Sequence, residues 1–266
     1  MLASIPAPPT DRLEFGPLTL RFYGLAIATG ALLAVKLARR RFAALGGDPA
    51  VVDSATLWAV GGGLAGARVG FVLPRLDRFA EDPLSAFAIW EGGLTFFGAL
   101  TGALLGVAWY VRRRSVPFSM FLHAVAPSVP LVQAIGRWGN YFNQELYGRP
   151  TDLPWALEIE PEHRVAGYEA YDTFHPAFLY ESLWNLGLVL LLLWADRRFS
   201  LRRGWLFLLY LIGYGVGRFW IELLRIDTDF RVLGLSRNNW NAIAMVVIGL
   251  AGLWWWERRA PAATRR

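Results

Sequence analysis

The chain has 266 residues, of which 55% are hydrophobic and only 18% charged, and its mean hydropathy is +0.34. Soluble domains carry about 25% charged residues, so a disordered chain, a coiled coil and an ordinary cytosolic enzyme are excluded and an integral membrane protein remains. The net charge of +6 comes from 26 Arg among 27 basic residues, clustered between apolar runs; that is the pattern of membrane topology, not of a nucleic-acid face.

The leader MLASIPAPPT has three prolines and no basic start, so it reads as a short arm and not a cleavable signal. Apolar segments of about bilayer length follow near 18–38, 52–73, 92–111, 118–138, 176–195, 204–224 and 239–256. Pro127 and Pro130 interrupt the fourth, which a membrane helix tolerates when neighbours satisfy the freed carbonyls. The expected fold is all-α: a polytopic membrane protein of about seven transmembrane helices, one integral domain over 1–266, with a small external head at 140–175.

The connecting segments alternate in charge. Clusters at 36–41, 112–114, 197–203 and 258–266 hold 15 basic residues, whereas 140–175 holds seven acids and two Arg. Positive-inside bias then places the N-terminus outside and the C-terminus in the cytoplasm. Small residues at i, i+4 (Gly62, Gly66, Gly70; Gly98, Gly102, Gly106; Gly213, Gly217) predict close helix packing. Gly98 could also leave room for a lipid chain. No internal repeat of the kind found in inverted-repeat transporters is visible.

Intramembrane charge is costly and usually functional. With this topology Tyr23, Arg68, Glu91, Arg137, Asn140, Asn143, Glu145, His175, Tyr180, Glu181, Arg218, Glu222 and Arg225 all fall toward the outer side. Arg218 and Glu222, four apart, share a helix face. Three Arg (Arg68, Arg137, Arg218) facing two or three carboxylates would leave spare positive charge, and Arg forks bind phosphate. Physics alone thus reaches an outer-leaflet phospholipid-handling protein, enzyme or binder. Snorkelling and structural ion pairing are the plain alternatives. Three scattered His and no Cys give no metal constellation.

The segment GRWGNYFNQELYG, Gly136 to Gly148, resembles the signature of the phosphatidylglycerol–prolipoprotein diacylglyceryl transferases. RFYGL (Arg21 to Leu25), GARVGFVL (Gly66 to Leu73), WEGGLTFFGALTG (Trp90 to Gly102), HPAFLYE (His175 to Glu181) and YGVGRFWIELLR (Tyr214 to Arg225) resemble the family's other motifs, in its order, over nearly the whole chain. The nearest resemblance is to the high-GC Gram-positive branch. The resemblance implies an enzyme of lipoprotein biosynthesis in the bacterial cell (inner) membrane. It would move the sn-1,2-diacylglyceryl group of phosphatidylglycerol to the lipobox cysteine thiol of a preprolipoprotein signal peptide and release glycerol-1-phosphate, without a cofactor. The absence of cysteine from the chain agrees, because the thiol belongs to the substrate. Phe97 stands where many members carry a His with an assigned catalytic role, and His123 stands where an acid is common.

On this reading the candidate catalytic residues are Arg137, Arg218, Glu145, Tyr214 and Glu222. Arg137 and Arg218 hold the phosphate and stabilise the leaving group. Glu145 and Glu222 position the Arg side chains or accept the thiol proton, and Tyr214 and Tyr23 donate to phosphate. The candidate substrate-binding residues are Tyr23, Arg68, Asn140, Asn143, Gly98, His175, Tyr180 and Glu181. Asn140 and Asn143 orient hydroxyls or ester carbonyls, or cap the helix; His175 is a base or a cap; Arg68 otherwise packs the head through Glu91. Two rival readings differ in class: an inactive paralogue that binds outer-leaflet phospholipid, Phe97 marking lost chemistry, and an anion channel or transporter using the Arg cluster.

Overall fold

A computed structural model describes residues 4–228 and 231–258. The C-terminal arginines Arg259, Arg265 and Arg266, used above for orientation, and the first three leader residues lie outside that range. The chain divides into two compact units, residues 1–37 with 125–266, and residues 38–124.

Helices form where the apolar runs predict them: α1 (Phe22–Ala44), α2 (Pro49–Val72), α3 (Phe96–Arg113), α4 (Phe118–Val125), α5 (Ser128–Phe142), α6 (Ala177–Arg198), α7 (Trp205–Leu224) and α8 (Arg237–Arg258). Five stretches are long and apolar enough to cross a membrane: Phe22–Ala44, Pro49–Phe79, Phe118–Phe142, Ala177–Arg198 and Trp205–Leu224. The third and seventh expected spans exist as α3 and α8, but length and composition alone do not mark these two as crossing. The expected fourth span is two helices, since Pro127 stands between α4 and α5, where the ring cannot continue the hydrogen-bond ladder.

In the larger unit, the hairpin β1 (Arg12–Phe15) and β2 (Leu18–Arg21) leads into α1. Helices α5, α6, α7 and α8 pack in succession. Between α5 and α6 the chain leaves helical geometry and forms the head. Its strands β3 (Leu157–Glu158) and β4 (Thr173–Phe174) pair antiparallel, and Ile5 of the leader bridges to Leu157. Tyr147, Leu157, Ile159, Phe174 and Phe178 form a small core beneath them. Around Ile5 the described part of the leader therefore forms an edge of the head. Two further short strands, β5 (Arg231–Val232) and β6 (Leu235–Ser236), form the turn before α8.

In the smaller unit, α2 and α3 meet backbone to backbone. A Cβ at Gly102 would lie 2.1 Å from the Gly62 carbonyl oxygen, and one at Gly66 or Gly98 would lie 2.3 Å from the other's carbonyl oxygen. This is the close approach the small-residue pattern predicts. Gly98 is spent on that contact. After α2, three turns of 3-10 helix (Leu73–Phe79, Pro83–Phe87, Ile89–Glu91) make an arm returning to α3.

Candidate active site

The densest polar cluster lies in the larger unit where α5, α6 and α7 face each other. It is built from the ends of α5 and α6 that border the head and from the C-terminal turns of α7. Glu181, in the first turns of α6, is 3% exposed and stands between two arginines. Arg218 Nη1 donates to Glu181 Oε1 at 2.6 Å, and Arg218 Nη2 donates to Glu222 Oε2 at 2.6 Å. Arg137 Nε lies 2.7 Å from Glu181 Oε2, an ion pair off the line of a hydrogen bond. Arg137 Nη1 donates to Asn140 Oδ1 at 3.1 Å. Its Nη2 has no acceptor among the described residues, and its side chain is 22% exposed against 11% for Arg218. Arg218 spends both terminal nitrogens on carboxylates, whereas Arg137 Nη2 meets none among the described residues.

The ladder Arg137–Glu181–Arg218–Glu222 carries two positive and two negative charges, as burial in low dielectric demands. This differs from the excess of positive charge expected from sequence. The reason is Arg68, which belongs to the smaller unit and is held there by carbonyl oxygens. Its Nε donates to Ala86 O at 2.6 Å, Nη1 to Gly92 O at 2.6 Å and Gly93 O at 3.2 Å, and Nη2 to Ser85 O at 2.6 Å. Its guanidinium latches the 73–91 arm onto α2. It pairs with backbone, not with the Glu91 carboxylate.

Glu222 is 1% exposed and its carboxylate is hydrogen-bonded at both oxygens. Oε2 takes Arg218; Oε1 accepts from Ser236 Oγ at 2.8 Å, Asn238 Nδ2 at 2.9 Å and Thr228 Oγ1 at 3.3 Å. Next to it Arg225 is paired through both Nε and Nη2 with Asp227. Glu145 differs in every respect. It is exposed, and Oε1 accepts from Asn140 Nδ2 at 2.7 Å and Asn143 Nδ2 at 3.3 Å, while Oε2 is free among the described residues. Its neighbours Gln144 and Leu146 have φ of +49° and +61°, a backbone region costly for side-chain-bearing residues. Gln144 holds the turn: its Oε1 accepts the Glu160 N–H at 2.9 Å and its Nε2 donates to Glu160 Oε2 at 2.6 Å. Glu145 faces a polar hollow of about 570 Å³ whose walls include Arg12, Arg21 and Asn143.

The other expected residues of the larger unit have the following neighbours. The Tyr23 ring lies against Gly139, where a Cβ would come within 2.4 Å of it, one residue from Asn140. The Tyr214 ring sits one turn from Arg218 and 5.8 Å from the Tyr210 ring. Gln133, one turn from Arg137, donates from Nε2 to Tyr210 Oη at 3.2 Å. The Tyr180 hydroxyl accepts from Trp155 Nε1 at 3.0 Å and lies 3.1 Å from His175 Nδ1. Burial, and secondarily the Arg149 charge, hold the His175 imidazole below its ordinary pKa. Asn185, one turn beyond Glu181, is 2% exposed with its Oδ1 unpaired. Gln133, Gln144, Asn185 and Asp227 escaped the sequence reading because single amides and acids between apolar residues carry no spacing signal. The helix periodicity of 133 to 137 and 181 to 185 is the one cue that could have found two of them.

Comparison with known proteins places this geometry in context. Residues 11–255 match the profile of the family described as prolipoprotein diacylglyceryl transferase. The phosphatidylglycerol–prolipoprotein diacylglyceryl transferase of Streptomyces griseus is 47% identical over 253 residues, covering 94% of this chain and 76% of the relative. The enzyme numbered 2 in Streptomyces coelicolor is 48% identical over 255 residues, 95% of this chain and 80% of the relative. That of Corynebacterium efficiens is 46% identical over 263 residues, 94% and 81% respectively.

Proposed function

The chain belongs to the prolipoprotein diacylglyceryl transferase family, and from that premise we propose how its residues carry the family's reaction. The enzyme transfers the sn-1,2-diacylglyceryl group of phosphatidylglycerol to the lipobox cysteine thiol of a preprolipoprotein. The thiol loses its proton; sulfur forms a bond to glycerol C3; the C3–oxygen bond to phosphate breaks, and its electron pair leaves with glycerol-1-phosphate.

The observation that carries this reading is Arg137, with one nitrogen that has no acceptor among the described residues, linked through Asn140 to Glu145, whose Oε2 is free among them, on a buried and charge-neutral base. A thiol ionises near pH 8.5 and attacks as thiolate. Arg137 meets the phosphate and stabilises charge on the leaving oxygen. Glu145 is the better placed proton acceptor, because its carboxylate is exposed whereas that of Glu222 is buried and hydrogen-bonded at both oxygens. Glu222, Glu181 and Arg218 hold Arg137 in place; Asn140 and Asn143 orient Glu145 and the glycerol hydroxyls. Tyr23 has a hydroxyl with no partner among the described residues and donates to phosphate or ester; Tyr214 lies one turn deeper. His175 and Tyr180 brace α6. Gly98 and Arg68 shape their own unit. Relatives 46–48% identical carry the transferase name, which supports an active enzyme over an inactive lipid binder.

The chain sits in the bacterial cell membrane as one integral domain, N-terminus and head outside, C-terminus in the cytoplasm. This follows from the basic clusters. The deciding assay supplies phosphatidylglycerol and a lipobox peptide to purified protein and measures glycerol phosphate release with thioether formation. Turnover that needs both Arg137 and the peptide cysteine is expected. Folded protein that binds phosphatidylglycerol without release would overturn the reading in favour of a lipid binder.

A further inference from the structure

The polar hollow of about 570 Å³ at the C-terminal end of α5 has the size of a small-ligand site, about 300–1,000 Å³. Three parts of the larger unit wall it. The leader and the β1–β2 hairpin supply Asp11, Arg12 and Arg21, the turn after α5 supplies Asn143 and Glu145, and the head supplies Glu160. The Phe22 ring stacks on Phe142 with centroids 4.6 Å apart, which fixes the base of the hairpin against the end of α5. The hollow shares a wall with the candidate site: Glu145 Oε1 accepts from Asn140, and Asn140 Oδ1 accepts from Arg137.

Arg12 and Arg21 are cross-strand partners in the antiparallel register of β1 and β2, so their side chains leave the same face of the hairpin. Like charges directly opposite destabilise a strand pair. Arg12 is compensated, with Asp11 at 3.6 Å and Glu14 at 3.2 Å. Arg21 makes no side-chain hydrogen bond or ion pair among the described residues. Topology does not account for it, because the proposed orientation places the hairpin outside, where Arg is ordinarily sparse. A guanidinium set against a like charge, without a counter-ion, in a walled hollow is suited to a phosphate. The hollow is not simply basic, however. Asp11, Glu145 and Glu160 line it too, so a bare phosphate meets repulsion as well as attraction. Glu145 Oε2 and Glu160 Oε1 have no partner among the described residues, and ionised carboxylates only accept. The mixed lining therefore fits a ligand that joins a phosphate to free hydroxyl donors.

We infer that this hollow seats a glycerol phosphate group, with Arg21 on the phosphate and the carboxylates of Asp11 and Glu160 accepting from the glycerol hydroxyls. The inference rests on the transferase reading above and deepens it, by giving the part of the donor that leaves a place of its own. Such a group reaches the hollow from two sources: as the headgroup of phosphatidylglycerol before cleavage, and as free glycerol phosphate after it. The shared wall at Asn143 and Glu145 lets the group stay in contact with the site in either form. Arg21 is on this account a substrate-binding residue, separate from the buried ladder that holds Arg137.

The test places the full chain in phosphatidylcholine nanodiscs and titrates it calorimetrically with sn-glycerol 1-phosphate, phosphoethanolamine and inorganic phosphate. Wild type should bind glycerol phosphate more tightly than the other two. Arg21→Gln should weaken that binding about tenfold, Arg21→Lys by less, and Arg75→Gln, on the arm of the smaller unit, not at all. Because Arg21 faces a like charge, the melting temperature of Arg21→Gln should hold or rise, which separates a lost contact from a lost fold. Steady-state assays then separate the two sources. A raised KM for phosphatidylglycerol in Arg21→Gln places the intact headgroup in the hollow; weaker product inhibition with KM unchanged places only the released group there. Equal binding by Arg21→Gln and wild type, or glycerol phosphate bound no better than inorganic phosphate or phosphoethanolamine, would overturn the inference. Arg21-dependent binding by a protein that never turns over would uphold the hollow and remove the transferase reading. Turnover with neither binding nor inhibition dependent on Arg21 would do the reverse.

Discussion

Arg137 and Glu222 show how burial sorts residues that look alike in sequence. Both are charged residues near helix ends, but Arg137 keeps an unpaired nitrogen and Glu222 spends both oxygens on four neighbouring residues. Arg137→Lys should lower kcat/KM by about 10- to 100-fold with little loss of folded protein, because one ammonium cannot meet Asn140, Glu181 and a phosphate in the planar geometry of a fork; steady-state assay checks it. Glu222→Gln should instead cost stability, about 3 kcal/mol as for broken buried pairs, since an amide turns one acceptor into a donor facing Arg218. Glu145→Gln should keep its melting temperature and lose rate, as its exposed carboxylate supports no neighbour but Asn140 and Asn143. Thermal unfolding and turnover measured on these two variants separate the roles of the two glutamates.

At the scale of elements, the α2–α3 pair rests on backbone approach, so substitution effects should depend on helix face. Gly102→Ala would place a methyl 2.1 Å from a backbone carbonyl that cannot swing away, whereas a Cβ at Gly61 meets nothing within 4 Å. Gly102→Ala should destabilise by roughly 1–3 kcal/mol as overpacking does, and Gly61→Ala should be neutral or slightly stabilising; melting curves in detergent decide. The arm at 73–91 has few buried side chains, with Leu76, Leu84, Phe87 and Trp90 all 60% exposed or more. The Arg68 latch supplies much of its order. Arg68→Gln should speed tryptic cleavage after Arg75 and Arg78, read by mass spectrometry, while α2 stays intact.

For the molecule as a whole, folding carries a pH dependence through His175. Its folded pKa lies below the ordinary value of 6.5, so the unfolded chain binds the proton first, and stability falls as pH drops below 6.5. The melting temperature should decline from pH 7 to pH 5, and less steeply in His175→Gln. The natural lack of cysteine makes the orientation directly readable: a membrane-impermeant maleimide should label Ala166→Cys on intact cells and Ser200→Cys only after permeabilisation. The sequence by itself determined the membrane class, the places of the helices and the close packing of their glycine stripes, because hydropathy and helical spacing are local properties that lipid solvent enforces strongly. Tertiary structure alone decided which charges pair. It gave Arg68 to backbone carbonyls, Glu222 to Ser236 and Asn238 beyond the end of α7, Gly217 to the Trp184 indole and Gly213 to Leu188. These outcomes depend on which groups meet across helices in low dielectric, where an unpaired charge is expensive and each partner removes a donor or acceptor from possible chemistry.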